Sequence, residues 1–168
     1  VKGGMLMSND NNEIFRQIYD KYADTLYRIA YLHTGSAQES EDILQEVFIK
    51  RLYNAPHFTN ETHEKAWLIR VTANKCKDYL KSSRHSNMSL NEEIISNKSY
   101  EDDKALDIQA KIISLDDKYK TVIYLFYYED YSVKQIASCL RLTESTVKMR
   151  LKRAREILKK ELKDYEEF

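Results

Sequence analysis

A chain of 168 residues with only three glycines and one proline has almost no means of making tight turns. A sandwich or barrel of many short strands needs such residues at every reversal, whereas Lys, Glu, Leu, Ile and Ala abound here. The sequence therefore predicts an all-α fold. Its length suits one ordinary domain or two small helical ones, and 42% hydrophobic residues are enough to build cores.

Periodicity places the helices. From Glu13 to His33, Ile14, Phe15, Ile18, Tyr22, Leu26, Ile29 and Ala30 recur at steps of three and four, on one face of a helix that Gly35 ends. A second helix starts near Ser36 or Ser40, carries acidic Glu39, Glu41 and Asp42 at its beginning, and runs through Ile43, Leu44, Val47, Phe48 and Leu52 until Pro56. After the loop Pro56–Asn60 a third helix, with Thr62 as its expected cap, carries Ala66, Trp67, Ile69, Val71, Ala73 and Leu80. Ser82–Lys104 is rich in Ser, Asn and acids and reads as a flexible linker. Helical patterning returns over Leu106–Ile113, Lys118–Tyr128, Val133–Leu140 and Glu144 to about Leu162. The expectation is two small helical domains, residues 10–84 and 105–165, joined by a linker at 85–104.

Formal net charge is zero, so its distribution carries the information. Val133–Lys163 holds ten basic residues against three acidic, and His63–His85 six against two. Asp10–Lys50 reverses the balance, with eight acidic against four basic. Two basic surfaces and one acidic surface are expected on one molecule, the stronger basic one suited to phosphates.

The segment from Tyr131 to Leu151 has the spacing of a helix-turn-helix, with Ile136, Ala137 and Leu140 inward and Leu142 in the turn. Ser132 and Thr143 are natural N-caps for its two helices. Val147, Leu151, Ala154 and Leu158 form the buried stripe of the second helix, which frees Ser145, Lys148, Met149, Lys152 and Arg153 to enter a major groove, with Thr146 alongside. Arg150 and Arg155 flank that face and suit phosphates. Arg141 stands where such turns usually carry Gly, so a left-handed backbone or a different turn is expected there.

Other classes of function lack their parts. There is no Gly-rich phosphate loop, no nucleophile with a base, and no metal spacing among His33, His57, His63 and His85, so neither enzymatic activity, a small-molecule substrate nor a cofactor is expected. Cys76 and Cys139 sit in different halves and are expected to be small buried or half-buried thiols. No apolar run of about 18 residues is present, and Val1–Asp10 lacks the apolar core of a secretory signal, so a cytoplasmic protein without membrane insertion is expected.

With both halves laid out, the chain resembles the extracytoplasmic-function sigma factors, which keep only regions 2 and 4 of the larger sigma-70 proteins. Ser40–Phe48 (SEDILQEVF) looks like region 2.2, and Ala66–Leu80 (AWLIRVTANKCKDYL) like regions 2.3 and 2.4. Ser132–Ala137 (SVKQIA) and Ser145–Arg155 (STVKMRLKRAR) look like region 4.2, with Ser145 in place of a frequent Gly, Met149 of a frequent Ser and Asp116 where Pro is often found.

The resemblance implies a sigma factor that binds bacterial core RNA polymerase and promoter DNA and is held in check by an anti-sigma factor. Asp42, Gln45, Glu46 and Phe48 are the expected polymerase contacts. The third helix and its preceding loop would take the minus-10 strand: His57, Phe58, Asn60 and Asn74 for bases, Arg70, Lys77, Lys81 and Arg84 for phosphates. Trp67 is expected to anchor the core of that domain. The helix-turn-helix would read the minus-35 duplex. The alternative is a stand-alone helix-turn-helix regulator whose first domain senses a ligand or dimerises.

Overall fold

The computed structural model describes residues 9–85 and 103–163. Among the described residues it holds seven helices and no strand: α1 (Asn9–Thr34), α2 (Ala37–Asn54), α3 (Glu61–His85), α4 (Asp103–Ser114), α5 (Asp117–Tyr127), α6 (Val133–Leu140) and α7 (Glu144–Lys163). The all-α expectation is borne out. Helix α3 extends into, and α4 begins within, the stretch read as linker; residues 86–102, the bulk of that stretch, lie outside the described residues.

Local chemistry sets the boundaries. Gly35 adopts φ 66°, where a Cβ would be costly, and its N–H closes the last turn on the Tyr31 carbonyl at 2.8 Å. The next residue, Ser36, caps α2 by accepting from the Glu39 N–H. Helix α3 departs from expectation. Asn60, not Thr62, accepts from the His63 N–H at 2.9 Å, so the helix starts at Glu61.

Helices α1, α2 and α3 pack on one another through Tyr22, Leu26, Ile29, Val47, Phe48, Leu68 and Ile69. Helix α7 packs on α4, α5 and α6 through Ile123, Ile136, Val147, Leu151 and Ala154. Ile14, counted in sequence with the apolar face of α1, is exposed, while Phe15 and Ile18 lie half-buried against the core.

The two halves also pack on each other, α1 against α4 and α5, and α3 against α6, so buried residues from both merge into one core. Polar groups stitch this seam. Glu129, in the turn after α5, accepts from Thr25 of α1 at 2.9 Å, from Lys65 of α3 at 2.7 Å and from Tyr124 of α5 at 3.1 Å. Buried His33 of α1 shares a hydrogen bond with Thr121 of α5, Nε2 to Oγ1 at 2.9 Å. Its Nδ1 lies 3.6 Å from Asp117, but burial outweighs the carboxylate and pushes the imidazole pKa below its ordinary value.

Candidate nucleic-acid interface

The helix-turn-helix is built almost entirely from neighbours in sequence. Ser132 and Gln135 form a capping box: the Gln135 N–H donates to the Ser132 hydroxyl at 3.2 Å, and the Ser132 N–H to the Gln135 side chain at 2.8 Å. Arg141 ends α6 in the left-handed conformation, φ 55° and ψ 46°, the first of the two expectations for a turn without Gly. Its successor Leu142 returns an N–H to the Ala137 carbonyl at 2.9 Å, and Thr143 caps α7 by accepting from the Thr146 N–H at 3.1 Å. Buried Ile136, Ala137, Val147 and Leu151 then hold α6 on α7, which leaves the opposite face of α7 to solvent.

That face divides the expected minus-35 residues into two sets. Ser145, Lys148, Met149, Lys152 and Arg153 all stand exposed, with Met149 at 58%, and Arg153 only reaches along its own helix to Glu156 at 3.3 Å. The others are engaged by the protein itself. Thr146 shares a hydroxyl contact with the cap Thr143 at 2.8 Å. Arg150 donates to the Lys118 carbonyl at 3.3 Å. The guanidinium of Arg155 donates to the Tyr127 hydroxyl at 2.6 Å and lies over the rings of Phe126 and Tyr127, a cation held by aromatic faces.

The expected minus-10 residues are scattered by comparison. His57 is exposed in the loop, but the ring of Phe58 packs edge-on against Trp67, with Arg51 above it at 5.0 Å. The Asn60 side chain serves as the cap of α3. Trp67, expected as a core anchor, is half-buried at the edge of the core and lines the cleft between the two halves. Arg70 donates to the Cys139 carbonyl at 2.8 Å, across the seam. Asn74 and Lys77 line the same cleft, Lys81 points to solvent, and the side chain of Arg84 lies outside the described residues.

On α2, Asp42, Gln45 and Glu46 are exposed, with Glu46 paired to Lys75 of α3. Phe48 is a correction. Its ring is 2% exposed, edge-on to Phe15 and 4.9 Å from Tyr19, because it falls on the same side of the helix as Leu44 and Val47. Sequence reasoning passed over Ile49 and Tyr53, which extend the exposed stripe of Asp42, Gln45 and Glu46 and are 55% and 67% exposed. The signal was available: apolar residues three and four steps from exposed acids share their face, not the core face. Glu129 was missed as well, and nothing local marks it, since its partners lie up to 104 positions away.

Burial raises the Cys76 thiol to about 12 and the Cys139 thiol to about 11, so neither offers a thiolate at neutral pH. Among the described residues no group of His, Cys, Asp and Glu is placed to hold a metal, and no helix is long and apolar enough to cross a membrane.

Against known proteins, the sequence matches the model of Sigma-70 region 2 over residues 18–86 and that of Sigma-70 region 4 over residues 105–158. It is 30% identical over 171 aligned residues to the ECF RNA polymerase sigma factor SigW of Bacillus subtilis, covering 92% of this chain and 91% of that protein. To the ECF RNA polymerase sigma factor SigL of Mycobacterium tuberculosis it is 33% identical, covering 82% of each. Its fold is similar to that of the sigma factor RpoE from Bartonella quintana, solved with the anti-sigma factor NepR. That likeness has a TM-score of 0.71 at 19% identity, over 90% of this chain and 98% of that one. CnrH, solved with the cytosolic domain of CnrY, is similar at a TM-score of 0.68 and 22% identity, over 92% of this chain and 90% of that one.

Proposed function

This chain belongs to the sigma-70 family as an extracytoplasmic-function sigma factor, and from that premise we propose a division of labour along it. It is an RNA polymerase sigma factor, a transcription initiation factor that binds core polymerase and promoter DNA. Residues 10–84 dock on polymerase and take the minus-10 strand, residues 85–104 connect, and residues 105–165 read the minus-35 duplex. No bond is made or broken by the chain itself, and it works in the cytoplasm. The observation that carries this reading is the order of regions 2 and 4 on one chain, the second built around a doubly capped helix-turn-helix. A stand-alone regulator would have no use for a region 2.

On α7 the base-reading side chains are Lys148, Met149 and Lys152, with Ser145 and Arg153 at the margins; their exposure and common face support this. Arg150 and Arg155 serve phosphates after leaving the Lys118 carbonyl and the Tyr127 hydroxyl. On α3, Asn74, Arg70, Lys77 and Lys81 face the strand, with His57 and Phe58 from the loop. Polymerase takes Asp42, Gln45 and Glu46, and Ile49 and Tyr53 supply the apolar part of that contact that buried Phe48 does not. An anti-sigma factor is a partner by likeness to the sigma factor solved with NepR.

Run-off transcription with purified bacterial core polymerase, with and without this protein, on promoter fragments from its source tests the reading. Discrete new transcripts sharing two spaced upstream elements are expected. An absence of transcripts, together with tight unaided binding to duplex DNA, would overturn it.

A further inference from the structure

Between the two halves lies a cleft of about 380 Å³ in which lysines and arginines far outnumber carboxylates. Lys50, Arg70 and Lys77 line it from the first half; Lys118, Arg141 and Arg150 line it from the second. Asp117 is the one acidic lining residue, and it already stands 3.2 Å from Lys120 and 3.6 Å from His33. Lys118 reaches Asp116 at 3.4 Å. Arg70 and Arg150 rest on backbone carbonyls, which accept a hydrogen bond and cancel no charge. Among the described residues, Lys50, Lys77 and Arg141 have no carboxylate at ion-pair distance. Burial first, and the charge of Arg141 second, hold the Arg70 guanidinium below its ordinary pKa.

The two halves thus bring six cationic side chains to the walls of one cleft, with a single carboxylate among them that is already paired. We propose that the cleft binds a compact polyanion of phosphate chemistry, carrying two or more phosphoryl groups, which bridges the cations of the first half to those of the second. The volume falls at the lower end of small-ligand sites, roughly 300–1,000 Å³. It is far too small for a duplex, whose major groove alone is about 12 Å wide. Guanidinium forks on both walls match the oxygens of phosphoryl groups, and charge-assisted hydrogen bonds gain strength in a half-enclosed site. Such a ligand needs both walls, so it stabilises the closed chain by mass action and holds Arg70, Lys77 and Arg150 away from promoter DNA. The inference concerns the closed chain and does not depend on which bases are read.

The chain has a single tryptophan, Trp67, and it lines this cleft. The full chain is titrated with sodium pyrophosphate, with orthophosphate and with sodium chloride at matched ionic strength, and Trp67 emission is followed alongside calorimetry. Saturable one-to-one binding of pyrophosphate is expected, at least about tenfold tighter than orthophosphate and weakened by at least about tenfold in Lys77→Ala with Arg141→Ala. Both substituted side chains are exposed, so the fold should survive, and circular dichroism checks that it does. Lys159→Ala with Lys160→Ala, on α7 outside the cleft, should bind as the parent does. Equal loss in both double variants, equal affinity for the two phosphates, or a response reproduced by chloride would each overturn the proposal. Run-off transcription without added pyrophosphate tests the promoter reading separately, so the two can fail independently.

Discussion

Helices α7 and α3 each carry a basic face that we propose for DNA, yet that of α7 stands open while part of that of α3 lines the cleft between the halves. On α7 the central cations, Lys148 and Lys152, meet only solvent. On α3, Arg70 is tied to the far half by its bond to the Cys139 carbonyl, while Asn74 and Lys77 look into the cleft. The difference lies in how each face is held. The α7 face is positioned by caps and a turn within about 20 residues, whereas the α3 face is set by contacts some 70 positions away in sequence. A local device can present a surface at all times; a long-range one can cover and uncover it.

The strongest way to break this comparison is to remove the core that the halves share. Leu151→Ala should cost about 2–5 kcal/mol, the usual range for a large core side chain cut back to a methyl. Because one core spans both halves, Trp67 emission and far-ultraviolet circular dichroism should lose structure in a single coincident denaturant transition. Separate transitions would make the halves independent.

A sharper cut goes through the seam alone. Glu129→Ala removes the acceptor for Thr25, Lys65 and Tyr124 and should cost about 1–3 kcal/mol, the range for hydrogen bonds to charged groups and the polar groups they leave behind. Amide exchange in α1 and α3 beside the seam should quicken while α6 and α7 keep most of their protection. Uniform quickening would show that the open face depends on the seam as much as the covered one does.

Lys148→Ala with Lys152→Ala probes the open face. Stability should stay within about 0.5 kcal/mol, as for surface changes elsewhere. Binding of polymerase holoenzyme to minus-35 duplex, measured by fluorescence anisotropy, should weaken by about 1–3 kcal/mol with a shallower salt dependence. Unchanged binding would remove the reading role from α7.

The mildest perturbation leaves the sequence alone. His33 has a folded-state pKa below its ordinary value of about 6.5, so as pH falls the unfolded chain takes up the proton first. Its contribution is therefore complete above that pH and is lost as pH drops through 6.5 toward the folded value. Asp117, Lys120 and Lys77 all face the ring electrostatically, the carboxylate favouring its protonation and the two ammonium groups opposing it. His33→Gln should flatten the pH dependence of the denaturation midpoint over that window, and an unchanged slope would take His33 out of the seam's chemistry.

The helix-turn-helix was legible in sequence down to its caps, because Ser132, Thr143 and the small Ala137 act on residues within five positions. The seven helices were legible for the same reason: periods of three and four are local facts. Phe48 was misread because a helix side chain can serve either the protein or its partner, and only packing decides. Packing put Phe48 among Phe15 and Tyr19. The seam was not legible at all. Glu129, His33 and Arg141 gain their roles from elements that the sequence separates by dozens of residues, and no pattern within any one helix announces them.

The bond from Arg70 to the Cys139 carbonyl carries one more consequence. Cys139 lies in the last turn of α6, where carbonyls lack helical partners and must find them elsewhere. Arg70 is thus the terminal partner of α6, and if α3 takes the minus-10 strand as proposed, that guanidinium cannot serve DNA and the carbonyl together. Any affinity measured for the isolated chain is then the intrinsic affinity scaled down by the fraction of molecules in which Arg70 is released. A partner that holds the halves apart raises promoter affinity without touching DNA, and one that holds them together lowers it without covering the recognition helix.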